Sequence, residues 1–596
     1  MPSDASQALR NDARAAVHER PWAAGAWLLA IVVAGLVLRM TGIGFLLPGQ
    51  PEPDGVVYQK QVQILRDGVR AQESEPLYAF YPHVVARLAA AMPTRDPNAA
   101  PARTRDEHLE RAREPIRNIR IVVALLSLLS VPATWWLARR FLPDPWPAYA
   151  AAWVATSVLL LWFAQQARPH AAQTSFVAIA VMSALVVRER GGLRASVFAG
   201  LAAGLAIGCL QNGLAVLPCL ALAGVLRWRE DRAGRARLFV GLAAAVAIVL
   251  VCVRLFYPFL FAGTRKGGIA TDTTHVQLSG HIVDLEMFNG KGFATVARTL
   301  WEYDPLITAL ATLGGLVALV ELARGRWSGT RLQRDFVWIV LAFVVPYALV
   351  IGAYERTYQR FCTLLVPFLC VAATYAVYRT VTAARAWGDA VRAAAVVFAC
   401  ACVGFQGYVA WRLVDARAQV DTITEAAQWI EAHVDPARRV SVLPTVELPL
   451  LQSQAARGAN SASTLDVRFP WFSYLWPLEP EAFSGTTWNL YAMPLSTEKK
   501  RAAARADPEA FVRAQDADYV VLEVFSNGRF PLLSAIREQV ARLGTLEARI
   551  SPDAVDRGEN LPFVYQDDGY PYTTPWYART LHLRCVGPIV EIYKLR

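Results

Sequence analysis

At 596 residues the chain exceeds one ordinary globular domain, and 55% of it is hydrophobic, with a mean hydropathy of +0.28. The apolar residues fall in runs of about 20, the length of a membrane-crossing helix, which excludes a purely soluble protein. The net charge of +11 calls for no nucleic acid, because the arginines gather in short connectors between the runs, as they do on the cytoplasmic side of membrane proteins.

Residues 1–22 are polar and carry Arg10, Arg14 and Arg20, which reads as a cytoplasmic N-terminal segment. The apolar run 23–47 is too long for a signal-peptide core and is expected to be an uncleaved anchor. It is followed by Pro51-Glu52-Pro53-Asp54 and a short amphipathic helix, Gly55–Asp67. Further apolar segments lie at 75–92, 119–138, 147–163, 171–187, 195–210, 212–226, 236–256, 305–322, 335–353, 361–378 and 388–412. Five connectors are rich in arginine, among them Arg139-Arg140, Arg188/Arg190/Arg194 and Arg324/Arg326/Arg331/Arg334. Placing these inside puts the loops 164–170, 257–304 and 354–360 outside. Segment 75–92, interrupted by Pro82, His83 and Arg87, then makes no net crossing. The expectation is a transmembrane module over 23–412 with eleven spans, in which 48–118 is one external loop containing surface or re-entrant helices.

Residues 413–596 change character and are expected to form a small external α/β domain. Thr422-Ile423-Thr424-Glu425 fits a capping box, Ile423, Ala427, Ile430 and Val434 make an apolar stripe, and Val440–Leu443, Tyr519–Phe525 and Ile589–Leu595 are β-type runs. A turn at Ser526-Asn527-Gly528 precedes a helix over Pro531–Leu543, and the aromatic run 469–476 packs in a core or against the membrane. Seven of the eight cysteines sit in apolar segments, and no Cys/His spacing indicates zinc.

The external features converge on one surface. They are Glu52/Asp54, the Gln165–His170 stretch, the loop 257–304 with Asp272, His275, His281, Asp284 and Glu286, and the Tyr354–Arg360 stretch. Arginine forks bind phosphate oxygens, and a carboxylate can take a proton from an attacking hydroxyl. Such a set suits a substrate with a phosphate leaving group. His275 and His281 are six apart, which favours solvated loop histidines over a metal site.

Several motifs in order resemble the GT-C class of polyprenyl-phosphate-sugar-dependent glycosyltransferases, the group of protein mannosyltransferases and the lipid A aminoarabinose transferase. They are Leu38-Arg39, Pro53-Asp54 with Tyr58 and Gly68, Tyr81-Pro82, Arg120 with Leu137–Leu142, Ala167–His170, Arg360-Phe361 with Pro367, Trp429-Ile430 and Val590–Tyr593. Two positions depart from the family: Gly55 follows Asp54 where a second acid is common, with Glu52 able to supply it, and His170 replaces the acid of the second loop. The resemblance implies an inner-membrane, multi-pass enzyme with its C-terminal domain outside. It would move a sugar, with inversion, from a polyprenyl-phosphate carrier to a lipid, glycan or protein acceptor. It makes Asp54 the base, assisted by Glu52, and Arg168, His170, Arg356, Arg360, Tyr81 and His83 substrate-binding. No cofactor is specified, and a divalent metal stays open. A lipid-linked saccharide transporter or flippase, and a non-catalytic glycan-lipid-binding scaffold of the same fold, are the rival expectations.

Overall fold

The computed structural model describes residues 21–48, 55–67, 81, 83–93, 104–258, 260, 269–271, 275–278, 281–324, 329–443, 446–463, 485–495, 497–524, 531–555 and 577–596. Glu52, Asp54, Pro82, Asp272, the turn 526–528 and the aromatic run 469–476 lie outside the described residues.

Helix α1 (Pro21–Met40) is followed by α2 (Gly55–Asp67) and α3 (Val84–Ala90), both in the stretch expected to be the first external loop. Helix α4 (Arg105–Leu128) starts in that loop under a Thr104/Glu107 capping box and runs into the membrane segment, which continues as α5 (Ser130–Ala138). Next come α6 (Trp146–Thr156), α7 (Val158–Ala164), α8 (His170–Arg190), α9 (Leu193–Cys209), α10 (Leu217–Glu230) and α11 (Arg235–Phe256). The segment after α11 is not a plain loop. It contains a three-stranded antiparallel sheet, β1 (Ile269–Thr271), β2 (His275–Leu278) and β3 (His281–Asp284), and the amphipathic helix α12 (Gly292–Tyr303). Helices α13 (Pro305–Ala323), α14 (Arg331–Ala353), α15 (Val366–Ala384) and α16 (Asp389–Ala418) complete the bundle.

Seven described helices are long and apolar enough to cross a membrane, and α6 with α7 would make an eighth. The remaining apolar segments form shorter helices, including Gly25–Met40 and Leu193–Cys209. The α6–α7 pair bends by 52° at Ser157. The break is held open chemically. Ser157 caps the new helix through Leu160 N, and the buried Asp304 carboxylate accepts from Ser157 Oγ (2.6 Å), Val158 N (2.8 Å) and Leu159 N (3.3 Å). A carboxylate at a helix start satisfies orphan amides and complements the dipole. Gln406 of α16 donates to the same carboxylate at 2.8 Å, tying a third element to the bend.

Helix α8 is the centre of the bundle, with 83% of its apolar window buried. At the arginine-rich end Arg188 joins Asp335 of α14 (2.6 Å) and Glu230 of α10. Helix α9 packs on α11 through a glycine stripe at i, i+4, i+8. A Cβ on Gly200 would lie 2.6 Å from Ala245 Cα, and one on Gly204 would lie 2.5 Å from Cys252 Sγ. Small residues let the two backbones approach closely, which is how helices associate where water supplies no hydrophobic drive.

In the tail, α17 (Thr422–His433), β4 (Arg439–Val442), α18 (Gln454–Ser463), β5 (Asn489–Ala492), α19 (Glu498–Ala506), α20 (Pro508–Arg513), β6 (Tyr519–Glu523), α21 (Pro531–Leu543), β7 (Gly544–Ile550) and β8 (Val590–Leu595) build an α/β unit. Its sheet runs β5-β4-β6-β8-β7, with β4 parallel to β5 and β6 and β8 antiparallel to β6 and β7. The expected cap of α17 is corrected by one residue. Asp421 accepts from Thr424 N (2.8 Å), while the Thr422 hydroxyl is drawn away to Pro588 O (2.6 Å) and anchors the helix beside β8.

Replacing Gly200 by leucine is expected to cost at least about 1–3 kcal/mol by overpacking against Ala245 backbone. Gly404→Leu, whose Cβ meets nothing within 4 Å, should stay within about 0.5 kcal/mol. Thermal unfolding of the two purified variants in one detergent compares them directly.

Candidate functional site

The central helix α8 brings its first residues to the end of the bundle opposite Arg188, and the site assembles around them. His170 opens the helix, buried at 3% exposure, with Arg168 at 2% just before it. The short helical turn Gln359–Leu365, which packs on α8, sets Phe361 5.7 Å from the His170 ring. Arg360, half-buried, lies over Tyr358 at 4.1 Å and beside Phe361 at 5.5 Å. Arg360, Arg168 and His83 are the electrostatic neighbours of His170. Four of the expected residues, from three separate stretches of chain, therefore share one place.

The other side comes from the first external loop. His83 is fully buried at the start of α3, where its Nδ1 accepts from Ala86 N at 3.0 Å. That bond puts the proton of the neutral ring on Nε2, which has no partner among the described residues. Burial pushes this imidazole down to about 3, so it is neutral at physiological pH and serves as a donor. Tyr58 of α2 meets its ring edge-on at 5.0 Å, and Tyr81 lies 5.2 Å away. Tyr81 in turn stacks on Tyr257 at 4.4 Å, and the two hydroxyls are held by Gly208 O and Ile207 O at the end of α9. Tyr81 is thus a wall whose hydroxyl is already committed.

Among the described residues, several buried polar atoms here have no partner: His83 Nε2, His170 Nδ1, Gln166 Oε1, Gln61 Oε1, both ends of the Gln359 amide, and Nε and Nη1 of Arg360. Buried polar groups left unmatched by the fold are expensive unless a ligand or solvent serves them. No carboxylate belongs to the cluster among the described residues. A cluster of guanidinium, neutral imidazole and amide groups is complementary to an anion carrying hydroxyl groups. Arg356 is not drawn in. It is exposed, with Glu355 and Tyr354 as its electrostatic neighbours at the turn after α14. Glu355 itself is occupied by Lys291 (2.8 Å) and Asn289 (2.5 Å). Tyr257 and the three glutamines have no assigned role in the sequence reading, although Gln166 and Gln359 fall inside its stretches. Polar residues one or two places from Arg168 and Arg360 were the available signal.

Glu52 and Asp54 lie outside the described residues, but both flanks are positioned. The turn after α1 is clamped by the Gln165 amide, which donates to Leu38 O (3.1 Å), Arg39 O (3.1 Å) and Thr41 O (2.6 Å). Arg120 donates to Ile43 O and Phe45 O, and Arg113 to Leu47 O. On the far side Arg66 of α2 holds Ala89 O and Ala90 O at the end of α3. Among the described residues no group of three or more His, Cys, Asp or Glu side chains could hold a metal ion.

No protein-family model and no curated protein matches the chain. Solved structures do. The apo oligosaccharyltransferase of Archaeoglobus fulgidus superposes with a TM-score of 0.45 at 11% identity, over 87% of this chain and 71% of that one. ArnT from Cupriavidus metallidurans in the apo state gives 0.42 at 12% identity, over 96% and 98%. The mycobacterial arabinofuranosyltransferase AftD gives 0.39 at 15% identity, over 96% of this chain and 41% of that one. All three are glycosyltransferases of the GT-C class, the class this sequence resembles. At these scores the likeness assigns no residue, and the functional argument rests on the side chains above.

Because His83 is neutral when folded, with its usual value near 6.5, the unfolded chain binds the extra proton between about pH 6.5 and 3. Stability is therefore present above pH 6.5 and falls as the pH drops through that window. His83→Asn keeps a capping side chain and removes the titration. Melting temperatures from pH 7 to 4 should fall less steeply for this variant than for the unmodified protein.

Proposed function

We propose that the protein is a membrane glycosyltransferase that takes a sugar from a polyprenyl-phosphate carrier and transfers it to an acceptor on the outer face. The observation that carries this reading is the half-buried Arg360, whose Nε and Nη1 have no partner among the described residues, gathered with Arg168 and His83 around His170. A guanidinium with open donors on two of its edges matches the oxygens of a phosphate. The adjacent amides of Gln166 and Gln359 match sugar hydroxyls, and the stacked Tyr81 and Tyr257 make a rigid wall beside them. The sequence resemblance and the apolar helices support a lipid-linked donor.

In this reading Asp54 takes the proton from the acceptor hydroxyl, and the oxygen attacks the anomeric carbon from the face opposite the phosphate. The bond from that carbon to the phosphate oxygen breaks, and the phosphate leaves with the electron pair. Arg360 and Arg168 neutralise the charge that develops there, while neutral His83 donates from Nε2. Preorganised donors at a developing charge commonly supply much of the rate. Glu52 assists Asp54. A non-catalytic lipid-glycan scaffold is the second reading, favoured by Gly55 and His170 standing where the resembling family has acids.

Asp54→Asn keeps the size and removes the base, so transfer should fall by about 10²–10⁴-fold with the protein still folded, and Glu52→Gln should lose less. Arg360→Ala should weaken donor binding, and Arg360→Lys should restore only part of it, because lysine lacks the fork. Near-normal transfer in Asp54→Asn would remove Asp54 as the base. Unchanged donor affinity in Arg360→Ala would remove the phosphate assignment. Donor binding by the unmodified protein without transfer to any acceptor would favour the scaffold.

A further inference from the structure

At the other end of the bundle, between α13, α14 and α15, lies an apolar crevice of about 170 Å³ that the proposed reaction does not use. Two adjacent glycines create it. Gly314 lets α13 touch α15, since a Cβ there would lie 2.0 Å from Ala372 O, whereas a Cβ on Gly315 would meet nothing within 4 Å. The lining side chains are apolar apart from the Tyr375 hydroxyl. Leu319, on the lining, is 49% exposed, and only 17% of the α13 window is buried, so the crevice opens sideways toward lipid.

The mouth of the crevice is cationic. Leu322 lies on its lining, and Arg324 follows two residues later at the end of α13. Arg334 precedes the lining residue Val337 by three positions on α14, and Arg379 follows Tyr375 by four on α15, so these two lie about one helical turn from the lining. Glu321 is the acid among them, holding Arg379 at 2.6 Å and the Tyr375 hydroxyl at 2.5 Å. Arg324 and Arg334 are exposed and have no ion-pair partner among the described residues. Three guanidiniums against one carboxylate, one turn from a hydrocarbon-sized gap, match a phosphate ester attached to a fatty chain.

We infer that this crevice binds one acyl chain of an anionic glycerophospholipid, with its phosphate on Arg324, Arg334 and Arg379, from the leaflet beside the arginine-rich connectors. The site is separate from the Arg360 cluster, which precedes α15. The thirteen residue-to-residue steps from Val366 to Arg379 alone span ~20 Å. The bound chain fills the gap left by Gly315 and clamps α13 to α14 and α15 without a protein side chain.

The test uses the full chain in detergent and native mass spectrometry, with phosphatidylglycerol and phosphatidylcholine of identical chains as probes. The unmodified protein should retain phosphatidylglycerol about tenfold better than phosphatidylcholine. Gly315→Leu, whose side chain enters open space, should lose both, and Ala318→Leu on the same lining provides a second filling variant. Arg324→Gln with Arg334→Gln should lower phosphatidylglycerol retention to the phosphatidylcholine level. Thermal unfolding of each variant separates loss of binding from loss of fold. Equal retention of the two lipids by the unmodified protein, or undiminished retention in both folded filling variants, would overturn the inference. Retention of a polyprenyl phosphate that the filling variants abolish, with no competition from phosphatidylglycerol, would assign the crevice to the carrier tail instead. That result would leave the Arg360 reading to its own tests.

Discussion

The Gln165 side chain joins three parts of the molecule that the sequence holds far apart. Its nitrogen closes the C-terminus of α1 by donating to three carbonyls, and its oxygen accepts from Arg417 at the end of α16. Arg417 also lies over Phe45 at 4.2 Å and Trp162 at 4.1 Å, while Arg120 lies over the same Phe45 at 4.3 Å. The turn after α1, the far end of the broken α6–α7 pair and the exit to the tail are thus fixed to one another. Losing that amide would strand carbonyls and a guanidinium in apolar surroundings, at about 1–3 kcal/mol for each unsatisfied group and more for the charge. Whatever Glu52 and Asp54 do, they do it a few residues from this joint.

From the joint, the order of the rest follows. Gln165 and Gln166 lead directly to Arg168 and His170, so the residue that closes α1 also sets the register of the central helix. Because α8 is buried nearly all round, its first turn cannot drift, and the cluster at its outer end inherits that rigidity. The tail is fastened to the same region. Arg105, at the start of α4, bonds Pro449 O at 3.0 Å and pairs with Glu431, and Arg412 of α16 bonds Leu583 O at 2.7 Å. Buried guanidiniums at such a place attract an anion strongly because little water screens them, and His83 stays neutral because charging it there is costly.

Much of this was legible in the residues. Most apolar runs became helices, Gly55–Asp67 is the helix the pattern describes, and helices with a five-stranded sheet follow α16. Arg168, His170, Arg360, Tyr81 and His83 do come together. What escaped was what depends on distant partners. The break at Ser157 is sustained by Asp304, 147 residues away, and no local window contains that carboxylate. Strand β5 has four residues and little pattern, but β7 alternates Thr545, Glu547 and Arg549 with Leu546, Ala548 and Ile550, an edge-strand signal that could have been read. Arg356 looked equivalent to Arg360 by spacing, yet the turn after α14 faces it toward Glu355 and solvent.

The central claim is that the Arg360 cluster takes the phosphate of a lipid carrier so that its sugar can be transferred outside. The most direct measurement compares the lipid-linked sugars and surface glycans of cells with and without the protein. The account predicts that cells lacking it accumulate one carrier-linked sugar and display a glycan or lipid short of that same residue. Identical carrier pools and identical surface glycans in the two cells would contradict it.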